Sequence, residues 1–191
     1  MFQVRIHGRG GQGAVTAAEL LSVAAFVEGR HAQAFPSFGS ERTGAPVMAF
    51  CRIDDRPIRV REPVTRPDAL VVQDATLLHQ VNVFEGLRPG GSVLVNSSCG
   101  ADDLGLDGLA GPVVTVPATA LALRYVGRPV PGAVLLGGLA ALTRCVTIDS
   151  LAAAVQDRFP GPLGAANADA AREAYEHVEI LLEERAHAEA D

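Results

Sequence analysis

Residues 2–28, FQVRIHGRGGQGAVTAAELLSVAAFVE, decide the fold of this chain. Residues 2–7 alternate apolar and polar side chains, as a strand does, and residues 14–28 carry apolar side chains at helical spacing. Between them the pattern Gly-x-Gly-x-x-Gly stands at Gly8, Gly10 and Gly13. A strand, a glycine turn and a helix in this order predict the first unit of a Rossmann-like fold.

The rest of the chain continues the alternation of strands and helices. Further strands are predicted at residues 31–35, 45–53, 68–74, 92–96 and 113–116. A strand at residues 56–61, after an Asp-Asp turn, would pair with the strand at 45–53 and complete an antiparallel β-hairpin. From residue 118 the pattern is helical, and it ends in an amphipathic helix at about 167–188.

These elements predict an α/β fold in a single domain spanning residues 1–191. We expect a Rossmann-like, doubly wound domain with a mostly parallel sheet, an antiparallel hairpin and a helical C-terminal part. Small and apolar residues at 135–139 and 152–155 would permit close packing. We expect these faces to contribute to an obligate subunit interface, with part of them belonging to the chain's own core.

Composition and charge exclude several classes of protein. The chain has 191 residues, of which 48% are apolar and 20% are charged, so a packed core is expected. The net charge is −6 and all sixteen basic residues are arginines, so nucleic acid is not an expected partner. No run approaches the ~20 apolar residues of a membrane span, and no signal peptide is recognisable. We expect a cytoplasmic protein without membrane contact.

The sequence predicts neither a catalytic residue nor a metal site in this chain. Its three cysteines, Cys51, Cys99 and Cys145, lie far apart, whereas a local zinc or iron–sulfur motif needs them two to four residues apart. The five histidines are scattered without metal-ligand spacing. The odd number of cysteines fits a reducing compartment.

The glycine loop is the first candidate site. Its residues are Gly8, Gly10, Gly11, Gln12 and Gly13. Such a turn can present backbone N–H groups to a phosphate or approach a partner closely, and the Gln12 amide could contact either. A site for NAD or FAD would also need an acidic residue at the end of the second strand, where the sequence has Phe35-Pro36-Ser37-Phe38. Glycines that serve only strand–helix packing remain the third interpretation.

The loop after the second strand is the other candidate site. It contains Ser37, Ser40, Glu41, Arg42 and Thr43. It follows the carboxyl end of a strand, where open α/β folds bind ligands. An arginine among hydroxyl groups suits a phosphate or a carboxylate. The alternative is a solvated surface loop with an internal Glu41–Arg42 pair.

Several motifs closely resemble the gamma subunit of pyruvate:ferredoxin oxidoreductases, within the wider 2-oxoacid:acceptor oxidoreductase family. The most specific are RIHGRGGQGAVTAAEL at residues 5–20 and QAFPSFG at residues 33–39. The likeness continues at residues 41–42, 44–47, 52–59, 72–77, 117–119 and 127–129. It extends over nearly the whole chain, to about Val178.

The resemblance implies a role in a multi-subunit enzyme. Such enzymes decarboxylate a 2-oxoacid on thiamine diphosphate with Mg²⁺, pass electrons through 4Fe–4S clusters to ferredoxin, and form an acyl-CoA. The resemblance assigns these cofactors to alpha, beta and delta-type subunits, and places the gamma subunit near the entrance for CoA. The chain alone is then expected to be inactive, and both candidate loops to contact CoA or a partner subunit.

Two departures from the family pattern concern the substrate. Ser40 and Thr43 stand where the family usually has a proline and a second arginine, and Pro131-Gly132 replaces a frequent Asn-Thr. An aromatic oxoacid, such as an aryl glyoxylate, and NAD reduction through another subunit therefore remain open. The alternative from a different class is a free-standing oxidoreductase domain that binds NAD or FAD.

Overall fold

The computed structural model describes residues 1–37, 43–106 and 108–190. Its centre is a six-stranded sheet with the order β2-β3-β1-β4-β5-β6. The strands are β1 (Phe2–Arg9), β2 (His31–Pro36), β3 (Pro46–Asp54), β4 (Ala69–Val72), β5 (Ser92–Asn96) and β6 (Val113–Val116). Only β3 runs against the others, since it pairs antiparallel with both β1 and β2. The mixed α/β class and the mostly parallel sheet are confirmed.

Five helices complete the described part of the chain. They are α1 (Ala14–Val27), α2 (Ala118–Val126), α3 (Gly132–Thr143), α4 (Ile148–Arg158) and α5 (Pro162–Ala190). The C-terminal helix therefore begins earlier than the expected residue 167, directly after the left-handed Gly161. Within the described ranges no helix is long and apolar enough to cross a membrane.

The antiparallel hairpin lies elsewhere than the sequence pattern predicted. It is formed by β2 and β3, whereas residues 57–61 adopt no regular structure. The prediction of a strand at residues 56–61 was wrong because both edges of β3 are already paired, one with β1 and the other with β2. Pro57 also removes one of the backbone N–H groups that a pairing strand would need.

The two faces of the sheet are covered differently. Val4 and Ile6 of β1 point to the face covered by the helices, where the larger apolar core lies. The other face of β4, β5 and β6 carries a smaller core beneath loops and two 3-10 turns, Ala75–His79 and Asp102–Leu104. The second layer of this doubly wound fold is thus a thin one, and a cavity lies beside β1 on this face.

The apolar face at residues 135–139 belongs to the chain's own core. Every residue of α3 from Gly132 to Ala141 is buried. A Cβ at Gly137 would lie 1.9 Å from the carbonyl oxygen of Ala171, so this glycine permits the close crossing of α3 and α5. Residues 135–139 therefore form the part of these apolar faces that was expected to belong to the chain's own core, and the obligate subunit interface stays a prediction.

Candidate functional site

The glycine loop lies in a crevice between the carboxyl ends of β1 and β4. The connection after β1 leads through α1 to β2, towards one edge of the sheet. The connection after β4 leads to β5, towards the opposite edge. Open α/β sheets bind ligands where neighbouring connections diverge in this way. The crevice is formed by residues 8–13 on one side and Gln73, Asp74 and Thr76 on the other.

Two glycines give the loop a backbone that other residues would strain. Gly11 has φ +93° and Gly13 has φ +79°, both in the left-handed region. Gly13 is also the N-cap of α1, and among the residues that the structure describes no side chain caps this end of the helix. The N–H groups of the first turn are therefore free for an anion, and the helix dipole favours negative charge there.

Gly8 lets the side chain of Gln73 lie under the loop. A Cβ at Gly8 would be 2.5 Å from Gln73 Oε1 and 3.4 Å from the Cβ of Ala14. Gln73 is 1% exposed, and neither end of its amide has a hydrogen-bond partner among the described residues. The tight contact explains why glycine stands at the end of β1, at the point where the strand meets α1.

Arg9 joins three segments of the crevice. Its Nε lies 2.8 Å from Asp74 Oδ2, and its Nη2 donates to Thr76 Oγ1 at 2.6 Å and to Gln80 Oε1 at 2.8 Å. Its Nη1 donates to the carbonyl oxygen of Gly44 at 3.1 Å. A planar guanidinium can hold all these acceptors at once, whereas an ammonium group cannot.

Asp74 is the acceptor at the centre of this network. Burial raises its pKa, but hydrogen bonds from Thr76, Arg9 and Gln12 outweigh that effect and hold the pKa below its usual value. Asp74 is therefore ionised at neutral pH and neutralises Arg9. The charge left to attract an anion comes from the N-terminus of α1 and not from Arg9.

The Gln12 amide is used inside the loop. Its Oε1 accepts from the backbone N–H of Arg9 at 2.8 Å, and its Nε2 donates to Asp74 Oδ2 at 3.2 Å. The geometry therefore does not favour the hypothesis that the Gln12 side chain contacts a ligand or a partner. Gln12 holds the turn in shape, which explains an amide at a position where phosphate-binding turns rarely carry one.

The second candidate loop is described only at its two ends. Thr43 lies beside Gly10, with a bridge between them, and Gly44 N–H donates to the Gly10 carbonyl at 3.1 Å. Ser37 lies on the wall of a separate cavity beside β1. Ser40, Glu41 and Arg42 lie outside the described residues. The end at Thr43 thus meets the glycine loop, while the end at Ser37 does not.

Sequence reasoning missed Arg9, Asp74 and Gln73. Asp74 directly follows a buried apolar strand, a position at the carboxyl edge of a parallel sheet, and that signal could have identified it. The alternation of β1 predicts only an exposed side chain at Arg9. No sequence signal indicates that this side chain binds Asp74, which lies more than sixty positions further along the chain. The unpaired amide of Gln73 likewise becomes evident only in three dimensions.

The strand order argues against a dinucleotide site. In the Rossmann arrangement the second strand lies next to the first, and its end supplies an acidic residue for the ribose. Here β3 separates β2 from β1, so the end of β2 is about 10 Å from β1 in the sheet. The end of β2 also carries Pro36 and Ser37 in place of a carboxylate.

The cysteines occupy separate environments. Cys51 and Cys145 are buried and Cys99 is exposed, and all three are free. Burial is the main reason that the thiol pKa of Cys51 and of Cys145 is raised, which disfavours the thiolate that a metal requires. Among the residues that the structure describes, no three metal-ligating side chains lie close enough together to hold an ion.

Comparison with known proteins gives a consistent result over nearly the whole chain. The family model described as pyruvate ferredoxin/flavodoxin oxidoreductase matches residues 3–177. The chain is 52% identical over 181 residues to pyruvate synthase subunit PorC of Methanothermobacter thermautotrophicus, which covers 95% of this chain and 98% of that protein.

Two further relatives agree. The chain is 48% identical to the common gamma subunit of the pyruvate/ketoisovalerate oxidoreductases of Pyrococcus furiosus, over 95% of this chain and 99% of that one. The crystal structure of pyruvate oxidoreductase subunit PORC from Thermotoga maritima superposes with a TM-score of 0.81 at 38% identity, and the match covers 92% of this chain and 95% of that one.

Proposed function

The chain belongs to the pyruvate ferredoxin/flavodoxin oxidoreductase family as a gamma-type subunit, and from this premise we propose that it serves a complex that oxidatively decarboxylates a 2-oxoacid to an acyl-CoA. Relatives named for pyruvate and for ketoisovalerate favour pyruvate or a short aliphatic 2-oxoacid over an aryl glyoxylate. The electrons pass to ferredoxin, and NAD reduction through another subunit is the less supported variant.

The decarboxylation chemistry belongs to partner subunits in this proposal. Thiamine diphosphate with Mg²⁺ and the 4Fe–4S clusters are assigned to alpha, beta and delta-type subunits, where they supply the carbanion and electron-transfer chemistry. The residues of this chain do not fit a cluster, because two of the three cysteines are buried with raised pKa values. The complex works in the cytoplasm, and residues 1–191 act within it as one domain.

The contribution of this chain is a wall of the CoA entrance. The observation that supports this assignment is the N-terminus of α1, which follows the left-handed Gly11 and Gly13 and has no side-chain cap among the described residues. Its free N–H groups suit a phosphate group, and CoA presents a pyrophosphate and a ribose phosphate. Arg42 would add a charge-assisted contact from the loop whose Thr43 end meets Gly10.

The test is purification of the complex from the native host. Subunit identification should find partner chains carrying thiamine diphosphate and iron–sulfur clusters, and a substrate panel should show CoA-dependent oxidation of pyruvate or a branched aliphatic oxoacid. Titration of NAD(H) against the isolated chain tests the alternative. Saturable micromolar binding of NAD(H), with no partner subunits recovered, would favour a free-standing oxidoreductase domain.

A further inference from the structure

A second cavity, of about 400 Å³, lies on the face of the sheet that the helices leave open. Arg5 and His7 of β1 form its floor, and Met48 is the register partner of His7 on β3. Its volume lies within the range of small-molecule sites. None of the crevice residues 8–13 and 74 lines it, so it is distinct from that crevice, although Ser37 at one end of the second candidate loop lies on its wall.

Arg5 places a buried positive charge in this cavity. The residue is 6% exposed, and its guanidinium donates to His7 Nε2 at 3.0 Å and to the carbonyl oxygens of Val83 at 2.9 Å and Glu85 at 2.6 Å. No carboxylate of the described residues forms an ion pair with it. Burial lowers the pKa of Arg5, and the Coulombic attraction of Glu85 at the rim only partly opposes that effect, so an approaching anion would be favoured.

His7 adds a donor and no opposing charge. Burial, and secondarily the charge of Arg5, lower the pKa of His7 to about 4, so the ring is neutral at pH 7. Because Nε2 accepts from Arg5, the ring proton resides on Nδ1. The cavity floor therefore carries one positive charge and hydrogen-bond donors, which is the chemistry that recognises a carboxylate.

The walls of the cavity are mostly apolar. They are formed by Pro46, Val47, Met48, Leu77 and Val81. The remaining polar lining is Ser37, Asn82 and Glu85, and both Asn82 and Glu85 are exposed at the rim. We propose that this cavity binds a small carboxylate with a short aliphatic tail, its carboxylate on Arg5 and His7 and its tail against Met48 and Val81. The inference does not depend on the CoA assignment.

The first test introduces a charge at the rim. Isobutyrate is titrated calorimetrically into the assembled complex, with the neutral isobutyramide as the ligand control. Asn82→Asp adds a negative charge beside the bound carboxylate and should weaken isobutyrate binding about five- to tenfold, whereas Asn82→Ala should leave it nearly unchanged. Other isobutyrate sites in the complex should not respond to this rim substitution. Isobutyramide should bind at least about tenfold more weakly than isobutyrate.

A second variant fills the cavity without touching the Arg5 hydrogen bonds. Met48→Trp occupies the space of the aliphatic tail, and it should abolish the binding that Asn82→Asp weakens. Arg5→Gln tests the charge directly, but it also removes the bonds that hold residues 83–85. Unchanged isobutyrate binding in both Met48→Trp and Asn82→Asp overturns the proposal. So does a wild-type complex that binds no isobutyrate.

Discussion

The Arg9 guanidinium and the Asp74 carboxylate form an ion pair of 2.8 Å that joins the glycine loop to the end of β4. Both side chains are about one fifth exposed, at 21% and 19%, so solvent only partly screens the pair. The same guanidinium reaches Thr76, Gln80 and Gly44. The shape of the crevice therefore depends on a residue that contacts no ligand in the proposed function.

We expect Arg9→Lys to loosen this network although it keeps the charge. A lysine ammonium cannot reproduce the planar fork, and the loss should be about 1–2 kcal/mol of local stability. Hydrogen exchange of the complex should become faster at residues 43–45 and 75–80. Arg88→Lys, in the more exposed pair with Asp68, is the control and should leave exchange at these segments unchanged. Equal exchange in wild type and Arg9→Lys would contradict the role of the fork.

The fold could be predicted from sequence wherever local pattern and pairing agree. The first strand and α1 follow from periodicity, the turn between them from its glycines, and β5 and β6 from short apolar runs between turn residues. The partner of β3 could not be predicted, because alternation identifies a strand but not the edge to which it pairs. Likewise the apolar pattern of α3 does not reveal whether its neighbour is α5 of the same chain or another subunit.

The candidate site was predictable only in part, for a physical reason. Gly13 carries its signal locally, since it completes a Gly-x-Gly-x-x-Gly turn between a strand and a helix and only glycine readily adopts the φ of +79° found there. The cavity above Arg5 has no such signal, because residues 5, 48 and 81 meet only through sheet pairing and loop packing.

The stability of the chain should fall with acid through His7. The unfolded chain binds a proton on this imidazole below pH 6.5, whereas the folded chain binds it only near pH 4. The contribution is therefore complete above pH 6.5 and is lost as the pH falls towards 4, at a cost of about 3 kcal/mol. Denaturant unfolding between pH 7 and 4 should show this slope, and His7→Gln should remove it.

The control for this prediction is His31→Gln, because the His31 side chain is exposed at the start of β2. This variant should keep the wild-type slope between pH 6.5 and 4. A wild-type unfolding free energy that is constant over this interval would show that His7 is not buried as a neutral ring.

Gly13→Ala should raise the KM for CoA more than a glycine-to-alanine change that causes comparable backbone strain elsewhere in the chain. A side chain at φ +79° costs roughly 1–2 kcal/mol, and it would displace the N–H groups at the start of α1. Gly29 has φ +77° at the other end of the same helix, with open space around it, so Gly29→Ala is a matched control. Steady-state kinetics of the complex should show a raised KM for CoA only in Gly13→Ala.

Gly13→Asn separates backbone strain from a lost contact, because asparagine tolerates the left-handed region better than alanine does. We expect it to recover part of the thermal stability and part of the CoA affinity. Equal KM values for CoA in all three variants and the wild type would assign the loop to packing.

The isolated chain should neither bind iron nor oxidise a 2-oxoacid. This expectation rests on the separation of the three cysteines in the sequence and on the burial of two of them. Iron analysis and oxoacid-dependent dye reduction, measured on the purified chain before and after addition of its partner subunits, would check it. Stoichiometric iron in the chain alone, or turnover without the partners, would refute it.

The most specific prediction concerns Arg42, in the loop whose Thr43 end lies beside Gly10. The chain has no lysine that could replace it, and CoA offers phosphate groups to a guanidinium. A charge-assisted contact contributes roughly 1.5–3 kcal/mol, so Arg42→Ala should raise the KM for CoA about ten- to a hundredfold. Decarboxylation of the oxoacid without CoA should remain nearly intact, since the proposed function assigns it to the partner subunits.

Glu41→Gln is the neighbouring control for Arg42→Ala. If Glu41 only orients Arg42, its neutralisation should change the KM for CoA less than the loss of the guanidinium does. Assembly of each variant is measured first by size-exclusion chromatography, so that kinetics are compared only between intact complexes. Unchanged CoA kinetics in an intact Arg42→Ala complex would show that the loop is structural. Failure of Arg42→Ala to assemble would instead place Arg42 in a subunit contact, because a residue that only binds CoA is not needed to hold the subunits together.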